Sequence, residues 1–457
     1  MIPTTISEIL KATGGKLLSG DEKAVVTSVT TDSRTVEEGS LFVAICGENS
    51  DGHLYIEKAI SQGAACVLTE KEIEKNDKGA VVLVENTVRA MGKIAHIVME
   101  KLSVPTVSVI GSVGKTTTRD MTYAVMSKKY NTLTNKGNFN NEIGVPLTVF
   151  SANEDISAAV IEMGMDHFGE IDRLSKICVP DAVIMTNIGM SHIEILGSQE
   201  NIYRAKAEVF QNANPDGVAF LNGDDKILMA HKKELPQKVI TVGIENKEAD
   251  FVASDIVSGT NEVSFVVSGM GHKLMITLPV PGEHNVLNAM LAAAAGIYFG
   301  VEDRAIEEAL SAFSMTKMRM DIIKTEKLTI INDCYNAAPA SVSAALSVLG
   351  KYETRTVAVL GDIKALGEFS RNAHFGLGAE VTKNKIDVLV TIGEEAKAIS
   401  EGAMAQNMDA KCVYVTKTVE AANSVLKDIL KDGDTVLVKA SRAMKLECVT
   451  EYLKENF

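Results

Sequence analysis

The sequence lacks features that several large classes of protein require. It has no run of basic residues and a net charge of −14 at neutral pH, which argues against nucleic acid as the main partner. Residues 1–5 lack a basic and apolar leader, so we expect no signal peptide. The most apolar stretch, residues 289–301, is too short to span a bilayer. The six cysteines form no C-x-x-C pair, and we expect them to be reduced and buried in a cytoplasmic protein.

The chain of 457 residues is long enough for about three domains, and the pattern of apolar runs divides it accordingly. Short apolar runs alternate with helical patterns through most of the chain, which predicts an α/β protein with mainly parallel sheets. We expect a small α/β N-terminal domain (1–100), a central domain (103–312) and a C-terminal Rossmann-like domain (313–457). No G-x-G-x-x-G motif opens the third domain, so dinucleotide binding is not expected there.

Individual elements follow from the same periodicities. In the N-terminal domain we predict helices over 6–13 and 55–62 and strands over 24–31, 41–44 and 65–68. Central strands are predicted over 158–163, 182–186, 218–221 and 239–242, and a hairpin over 251–278 with its turn at 268–271. C-terminal strands are predicted over 328–331, 356–360, 388–392, 412–415 and 436–439.

The most informative stretch is residues 107–118, VSVIGSVGKTTT. A β-branched run, a glycine-rich turn and a helical stretch form a phosphate cradle, in which backbone N–H groups face an anion. Lys115 would lie on the β- and γ-phosphates, and the Thr116 hydroxyl would bind Mg²⁺. Val109 stands where the usual motif has its first glycine. The alternative is an ordinary glycine-rich turn, but the pattern favours a nucleoside triphosphate site.

Polar clusters follow several predicted strands, where α/β proteins place ligands. The amides of residues 137–142 (GNFNNE) suit a sugar or phosphate, or form a turn. Glu162 ends an apolar strand and could bind Mg²⁺, or cap a solvated helix. His192 is a better ligand candidate than His167, whereas Lys206 reads as a solvated lysine.

Other clusters stay open between binding sites and plain loops or caps. Ser33 and Arg34 could hold a diphosphate or sugar, but the residues alone favour a capped turn with a surface salt bridge. Residues 281–288, 318–320, 332–339 and 361–363 are further polar stretches. An arginine delivered from another domain, such as Arg319, is a typical means of neutralising a transferring phosphoryl group.

Together these stretches resemble the Mur ligases of peptidoglycan synthesis, whose nucleotide loop has the same shortened form. The resemblance spans nearly the whole chain. It is carried by residues 31–34, 39–44 (GSLFVA), 51–53 (DGH), 137–148 (GNFNNEIGVPLT), 162–171 (EMGMDHFGEI), 332–339 (NDCYNAAP), 359–367 (VLGDIKALG) and 438–447 (VKASRAMKLE). The last three resemble the branch whose acceptor is D-Ala-D-Ala. Departures from the family pattern are Asp166 for Asn, Met318 for Gly, Ala338 for Asn, and Ala440 and Ala443 for Gly.

The resemblance implies roles for individual residues. ATP would be held by Gly111, Ser112, Val113, Gly114, Lys115, Thr116, Thr117, Asn288, Arg319 and Asp333. Two Mg²⁺ ions would be held by Thr116, Glu162, His192 and a carbamylated Lys206, and the catalytic residues would be Lys115, His192, Lys206 and Arg319. The substrates would contact Ser33, Arg34, Asn138, Asn141, Asn336, Ser441 and Arg442.

The resemblance also implies the reaction. ATP would activate the terminal carboxylate of a UDP-MurNAc-tripeptide as an acyl phosphate, and the amine of D-Ala-D-Ala would attack it. We expect a cytoplasmic monomer without membrane insertion. Two alternatives remain open: a sibling amide ligase that adds another amino acid or polyglutamylates folate, and a P-loop NTPase without ligase activity. The sequence leaves open whether the tripeptide carries lysine or diaminopimelate.

Overall fold

The computed structural model describes residues 1–47, 50–73 and 78–457, which form an α/β protein with three principal sheets. The predicted fold class is confirmed. Each principal sheet is mainly parallel and carries helices, so its central strands are buried and apolar.

The N-terminal sheet has the order β2-β7-β6-β5-β4, with only β2 antiparallel to its neighbour, and β1 and β3 form a separate pair. The predicted strand over 24–31 is therefore two strands. Helix α1 begins and ends as predicted, because Thr5 and Glu8 form a capping box and Gly14 ends the helix at φ 69°. The strands are Thr4–Thr5 (β1), Lys16–Ser19 (β2), Val25–Val26 (β3), Ser28–Thr30 (β4), Ser40–Val43 (β5), Cys66–Thr69 (β6) and Ala80–Leu83 (β7), and the helices are Ile6–Thr13 (α1), Ile56–Ser61 (α2) and Thr87–Leu102 (α3).

The central sheet has nine strands in the order β16-β15-β14-β13-β12-β11-β8-β10-β9. Strands β8 to β14 are parallel to one another, and β14, β15 and β16 form an antiparallel extension. The strands are Thr106–Ile110 (β8), Thr132–Thr134 (β9), Ala158–Glu162 (β10), Ala182–Met185 (β11), Val218–Asn222 (β12), Lys238–Gly243 (β13), Phe251–Ser258 (β14), Val263–Gly269 (β15) and His272–Leu278 (β16). The helices are Lys115–Met126 (α4), Gly144–Phe150 (α5), Glu170–Cys178 (α6), Ile193–Leu196 (α7), Gln199–Ala207 (α8), Val209–Asn212 (α9), Lys226–His231 (α10), His284–Tyr298 (α11) and Asp303–Ser311 (α12).

The predicted hairpin over 251–278 is wrong in strand number. Its turn is where we predicted it, with Met270 at φ 48° and Gly271 at φ 87° between β15 and β16. A second turn, closed by the hydrogen bond from Gly259 N to Glu262 O (2.9 Å), divides the rest into β14 and β15. The alternating pattern continues on both sides of this turn, so periodicity alone did not locate it.

The C-terminal sheet has the order β17-β18-β22-β19-β20-β21, parallel except for β17. The five predicted strands are confirmed to within one residue at each end, and the edge strand β17 was missed. The strands are Asp321–Lys324 (β17), Thr329–Asn332 (β18), Thr356–Gly361 (β19), Val388–Ile392 (β20), Val413–Thr416 (β21) and Thr435–Lys439 (β22). The helices are Pro339–Leu349 (α13), Ser370–Lys383 (α14), Lys397–Ala405 (α15), Val419–Ile429 (α16) and Glu447–Asn456 (α17).

The cysteines are free, as predicted, but they are not all buried. Cys46 and Cys448 are exposed and Cys412 is partly exposed, whereas the other three lie in the cores. No helix in the described ranges combines the length and the apolar composition needed to cross a bilayer.

Candidate active site

The loop between β8 and α4 has the backbone shape of a phosphate cradle. Gly111 has φ 150°, and a Cβ there would lie 2.0 Å from Thr186 Oγ1. Gly114 precedes α4 at φ 84°, and its Cβ would lie 2.7 Å from Asn288 Oδ1. Both positions therefore require glycine. Val109, where the first glycine of the usual motif is missing, is buried inside β8, so the loop begins later.

The cradle is held in shape by the residues that follow β11. Val113 N donates to Asn187 Oδ1 (3.0 Å), and Ser112 N donates to Asn187 O (2.9 Å). Thr186 Oγ1 donates to Val113 O (2.6 Å). The loop is thus fixed from the neighbouring strand, with the N-terminus of α4 at its end, which is the geometry of an anion site.

Lys115 is the first residue of α4 and turns back over this loop, where its Nζ donates to Ser112 O (3.3 Å). Burial lowers the pKa of Lys115, while the nearby Glu162 carboxylate opposes that shift. Lys115 and Glu162 line one cleft, as a shared nucleotide and metal site requires.

Glu162 ends β10 and is only 2% exposed, so it is not the solvated helix cap that the sequence left open. Asn140 Nδ2 donates to Glu162 Oε1 (2.7 Å). Glu162 Oε2 accepts no hydrogen bond from the described residues and lies 3.4 Å from Arg119 Nη1. A buried carboxylate oxygen with spare acceptor capacity, in a cleft that Thr116 also lines, fits a hard divalent cation such as Mg²⁺.

Lys206 is not the solvated lysine that its sequence context suggested. It lies on α8 with 2% exposure, and its Nζ has no hydrogen bond or ion pair within the described residues. Burial, and then the positive charge of Lys115, hold its pKa well below the ordinary value. A lowered pKa favours the neutral amine, which is the form that can react with CO₂.

His192 lies at the N-terminus of α7, with φ 65°, and its Nδ1 is 2.9 Å from Asp166 Oδ1. Burial lowers the pKa of His192 to about 4, so the ring is neutral at pH 7. A neutral imidazole is the form that binds a metal. Asp166, one of the departures from the family pattern, thus places a carboxylate beside this ring. His167 lies apart, paired with Glu170 at 3.6 Å.

Arg319 reaches the central sheet's cradle from the start of the C-terminal sheet. Its Nη2 donates to Thr116 Oγ1 (2.9 Å), and its guanidinium lies 4.2 Å above the ring of Tyr335. Tyr335 N donates to Met318 O (3.2 Å). Met318 has φ 64°, a conformation that favours glycine.

The segment that carries Arg319 is fixed to the C-terminal sheet by a buried ion pair. Asp333 Oδ1 accepts a hydrogen bond from Met320 N (3.2 Å), and Asp333 Oδ2 lies 2.5 Å from Lys439 Nζ. Lys439 also donates to Asn336 O (3.1 Å). The pair therefore ties the ends of β18 and β22 to the segment that carries Arg319.

A cleft of about 750 Å³ brings most of the predicted site residues together. Its lining includes Ser112, Val113, Gly114, Lys115, Thr116, Thr117, Asn138, Asn141, Glu162, His192, Asn288, Arg319, Asp333, Asn336 and Arg442. The predicted site residues outside that lining are Ser33, Arg34, Gly111, Lys206 and Ser441.

Several of the predicted substrate residues also have local structural partners. Asn141 Oδ1 accepts from Gly144 N (2.8 Å) at the start of α5, and Ser441 Oγ accepts from Lys364 N (2.9 Å). Arg34 is paired with Asp32 at 2.6 Å on the surface of the N-terminal sheet, which is the capped-turn geometry that the residues favoured. This pairing lowers the pKa of Asp32 to about 2.

Sequence reasoning missed several residues that hold the site. Asn140, Tyr335 and Lys439 lie inside stretches we had noted, but Arg119 gave no signal, because an isolated basic residue next to a motif is usually solvated. Only burial, at 3% exposure for Arg119 and 2% for Lys439, shows that both charged side chains lie inside the protein.

His284 provides a test of the cleft's electrostatics. Burial lowers its pKa to about 4, so the folded protein keeps it neutral while the unfolded chain protonates it near pH 6.5. The unfolded state therefore binds more protons between these values, and the free energy of unfolding should fall by up to about 3 kcal/mol as pH drops from 6.5 to 4. Urea unfolding at several pH values should show a flatter dependence for His284→Gln.

His231 supplies a control of opposite sign. Its pKa is raised, first by the hydrogen bond to Glu234, so it stabilises the fold at low pH and loses that contribution as pH rises. His231→Gln should therefore steepen the loss of stability on acidification. If the free energy of unfolding of His284→Gln depended on pH as the wild type does, the lowered pKa of His284 would be contradicted.

A P-loop, a buried carboxylate and lysine beside it, and an arginine brought from a second α/β sheet define a nucleoside triphosphate-dependent enzyme. The comparisons with known proteins agree with this class. Three family models match in succession: the Mur ligase catalytic domain over residues 25–107, the Mur ligase middle domain over 109–296, and the Mur ligase glutamate ligase domain over 318–442. The chain belongs to the Mur ligase family.

Several relatives match over their whole length. The UDP-N-acetylmuramoyl-tripeptide–D-alanyl-D-alanine ligase of Bacillus subtilis is 37% identical over 461 residues, covering 100% of this chain and 99% of the relative. The Escherichia coli ligase of the same name is 31% identical, with 100% and 99% covered. Among solved structures, MurF from Acinetobacter baumannii has a TM-score of 0.91 at 30% identity, covering 99% of both chains. The MurF ligase of Thermotoga maritima in complex with ADP has a TM-score of 0.84 at 26% identity, with 94% and 97% covered.

Proposed function

We propose that the protein is an ATP-dependent amide ligase that joins D-alanyl-D-alanine to a UDP-N-acetylmuramoyl-tripeptide in peptidoglycan precursor synthesis. The observation that carries the proposal is the cleft in which Lys115 and Thr116 of the cradle, the buried Glu162, and Arg319 from the C-terminal side meet. Full-length relatives of that name support the choice of substrates.

The chemistry follows from the charges that must converge. A carboxylate oxygen of the tripeptide attacks the γ-phosphorus of ATP, the bond to the β–γ bridging oxygen breaks, and ADP leaves. The amine of D-Ala-D-Ala then attacks the acyl carbon, the carbon–oxygen bond to phosphate breaks, and the amine loses its proton. Lys115 and Arg319 offset the charge of the phosphates, and the cradle orients them.

The metal ligands are proposed because the same negative charges need a cation between them. Thr116 and Glu162 would hold one Mg²⁺, and His192 with a carbamylated Lys206 would hold a second. Mg²⁺ would supply positive charge that offsets repulsion between the triphosphate and the attacking carboxylate. The carbamate forms when the neutral Lys206 amine adds to CO₂ and releases a proton, which replaces a repelled cation with an oxygen ligand.

The remaining roles are assigned by region. The sheets support a division into a nucleotide-sugar domain (1–100), an ATP domain (103–312) and an acceptor domain (313–457). Ser33 and Arg34 would face the UDP-sugar, Asn138 and Asn141 the tripeptide side, and Asn288 the adenine. Asn336, Ser441 and Arg442 would face the dipeptide. ATP and a nucleotide-linked precursor as substrates point to a cytoplasmic enzyme, which we propose acts as a monomer.

ADP release by the purified protein tests the proposal. We expect release to require both a UDP-MurNAc-tripeptide, supplied in lysine and diaminopimelate forms, and D-Ala-D-Ala, with the product identified by mass spectrometry. Omitting each substrate, or offering glutamate, lysine or diaminopimelate as the amine, gives the controls. Hydrolysis unaffected by any amine would indicate an NTPase without ligation, and a product with a single amino acid would indicate a sibling ligase.

A further inference from the structure

The linker between α12 and β17 lies along α4 and contacts it at two points. Thr316 Oγ1 donates to Asp120 Oδ2 (2.6 Å), and Arg319 Nη2 donates to Thr116 Oγ1 (2.9 Å). Thr116 and Asp120 are four residues apart on α4, so they lie on one face of the helix, one turn from each other. The linker is therefore attached to the helix that begins at the phosphate cradle.

The two contacts differ in what the proposed reaction does to them. Thr116 is a proposed metal ligand and Arg319 a proposed phosphate ligand, so the contact between them must give way when ATP binds. Neither Asp120 nor Thr316 has a role toward ATP, so their hydrogen bond can persist through the reaction.

Asp120 is in turn secured to the metal side of the site. Its Oδ1 accepts two hydrogen bonds from Arg119, from Nε (2.8 Å) and Nη2 (2.6 Å). Arg119 is 3% exposed, donates from Nη1 to Gly137 O (3.1 Å), and lies 3.4 Å from Glu162. A buried guanidinium that donates to both Asp120 Oδ1 and Gly137 O is a rigid connection, because its five donors are fixed in one plane.

We propose that the Asp120–Thr316 hydrogen bond is the pivot about which the linker moves to deliver Arg319, and that Arg119 fixes this pivot relative to Glu162. Asp120, Thr316 and Arg119 are positioning residues, since they act through Arg319 and Glu162. The inference rests on the proposed function only for the role of Arg319 toward the phosphate. The attachment of the linker to α4 through Thr316 and Asp120 does not depend on that role.

Limited trypsin digestion measures how firmly the linker is attached, and it does so without requiring catalytic activity. Lys317 is exposed and lies between the two attached residues, so cleavage after it reports how tightly the linker is held. Thr316→Val removes the hydroxyl and keeps the shape, and we expect it to raise the rate of cleavage after Lys317 about tenfold, the scale of one hydrogen bond to a charged acceptor. Mass spectrometry identifies the fragments 1–317 and 318–457, and digestion of the urea-unfolded variants calibrates the effect of the altered sequence.

Steady-state kinetics of the ligation reaction provide a second test of the pivot. Thr316→Val should lower kcat about tenfold while the dissociation constant for ADP and the KM for ATP stay within twofold, because the cradle itself is untouched. Thr316→Ser, which keeps the hydroxyl, should restore both cleavage resistance and kcat. Ser314→Ala, a change at an exposed position of the same linker, should match the wild type.

Equal cleavage and equal kcat for Thr316→Val and wild type would overturn the pivot, even if ligation itself is observed. Failure of the wild type to join the two substrates would overturn the proposed function, and the digestion experiment would still decide whether Thr316 holds the linker. A Thr316→Ser variant as impaired as Thr316→Val would also count against the pivot, since the hydroxyl would then be irrelevant.

Discussion

Lys206→Ala is expected to lower kcat by about 1,000-fold, because loss of a metal ligand removes several kcal/mol of charge stabilisation. The structure supports this through the burial of Lys206 and its depressed pKa, which favour the neutral amine that carbamylation requires. Lys206→Arg should be as inactive, since a guanidinium keeps its charge and forms no carbamate. Steady-state ADP release with both substrates measures the effect.

Two observations separate the carbamate from a structural role of Lys206. Removing dissolved CO₂ should lower wild-type activity reversibly, and bicarbonate should restore it. Short carboxylic acids should partly rescue Lys206→Ala by placing a carboxylate in the space vacated. Lys226→Ala, at an exposed position of α10, is the matched control and should retain activity. Full activity of Lys206→Ala without any bicarbonate effect would refute the assignment.

Arg319→Ala is expected to reduce kcat by about 1,000-fold with little change in ADP binding, because an arginine that meets a transferring phosphoryl group acts mainly in the transition state. Arg319→Lys should recover only a small part of the rate, since lysine lacks the planar fork. Isothermal titration calorimetry measures the affinity for ADP, and single-turnover kinetics measure the rate of phosphoryl transfer.

The ring of Tyr335 tests how Arg319 is held. Tyr335→Phe keeps the aromatic face below the guanidinium and should behave like the wild type, whereas Tyr335→Leu should lower kcat several-fold. If Arg319→Ala weakened ADP binding as much as it lowered kcat, the arginine would serve ground-state binding instead.

The parts of the site that the sequence predicted are those whose information is local. The cradle is recognised from residues 107–118 because the strand, the two glycines and the lysine are contiguous, and the structure shows what each glycine avoids. The five parallel strands of the C-terminal sheet were also predictable, since they are short apolar runs between helices, whereas the partly exposed edge strand β17 was not.

What could not be predicted depends on contacts between distant parts of the chain. Lys206 sits in an ordinary helical context, and only the packing of α8 removes it from water. Arg119 is adjacent to the best motif in the chain, yet its partners are Glu162 and the backbone at Gly137. Neither the burial of a single charged side chain nor a pairing of this kind leaves a periodic signal in the sequence.

The support of the cradle by the segment after β11 has a consequence for how the protein is made. Val113 is held by Asn187, 74 residues further along the chain. While the polypeptide is being synthesised, the glycine-rich loop lacks its hydrogen bonds to Thr186 and Asn187 until both residues have emerged from the ribosome. Nascent chains that end earlier should therefore fail to retain ATP even though they contain the entire motif, because a contact of high sequence separation forms only after the intervening segment has folded.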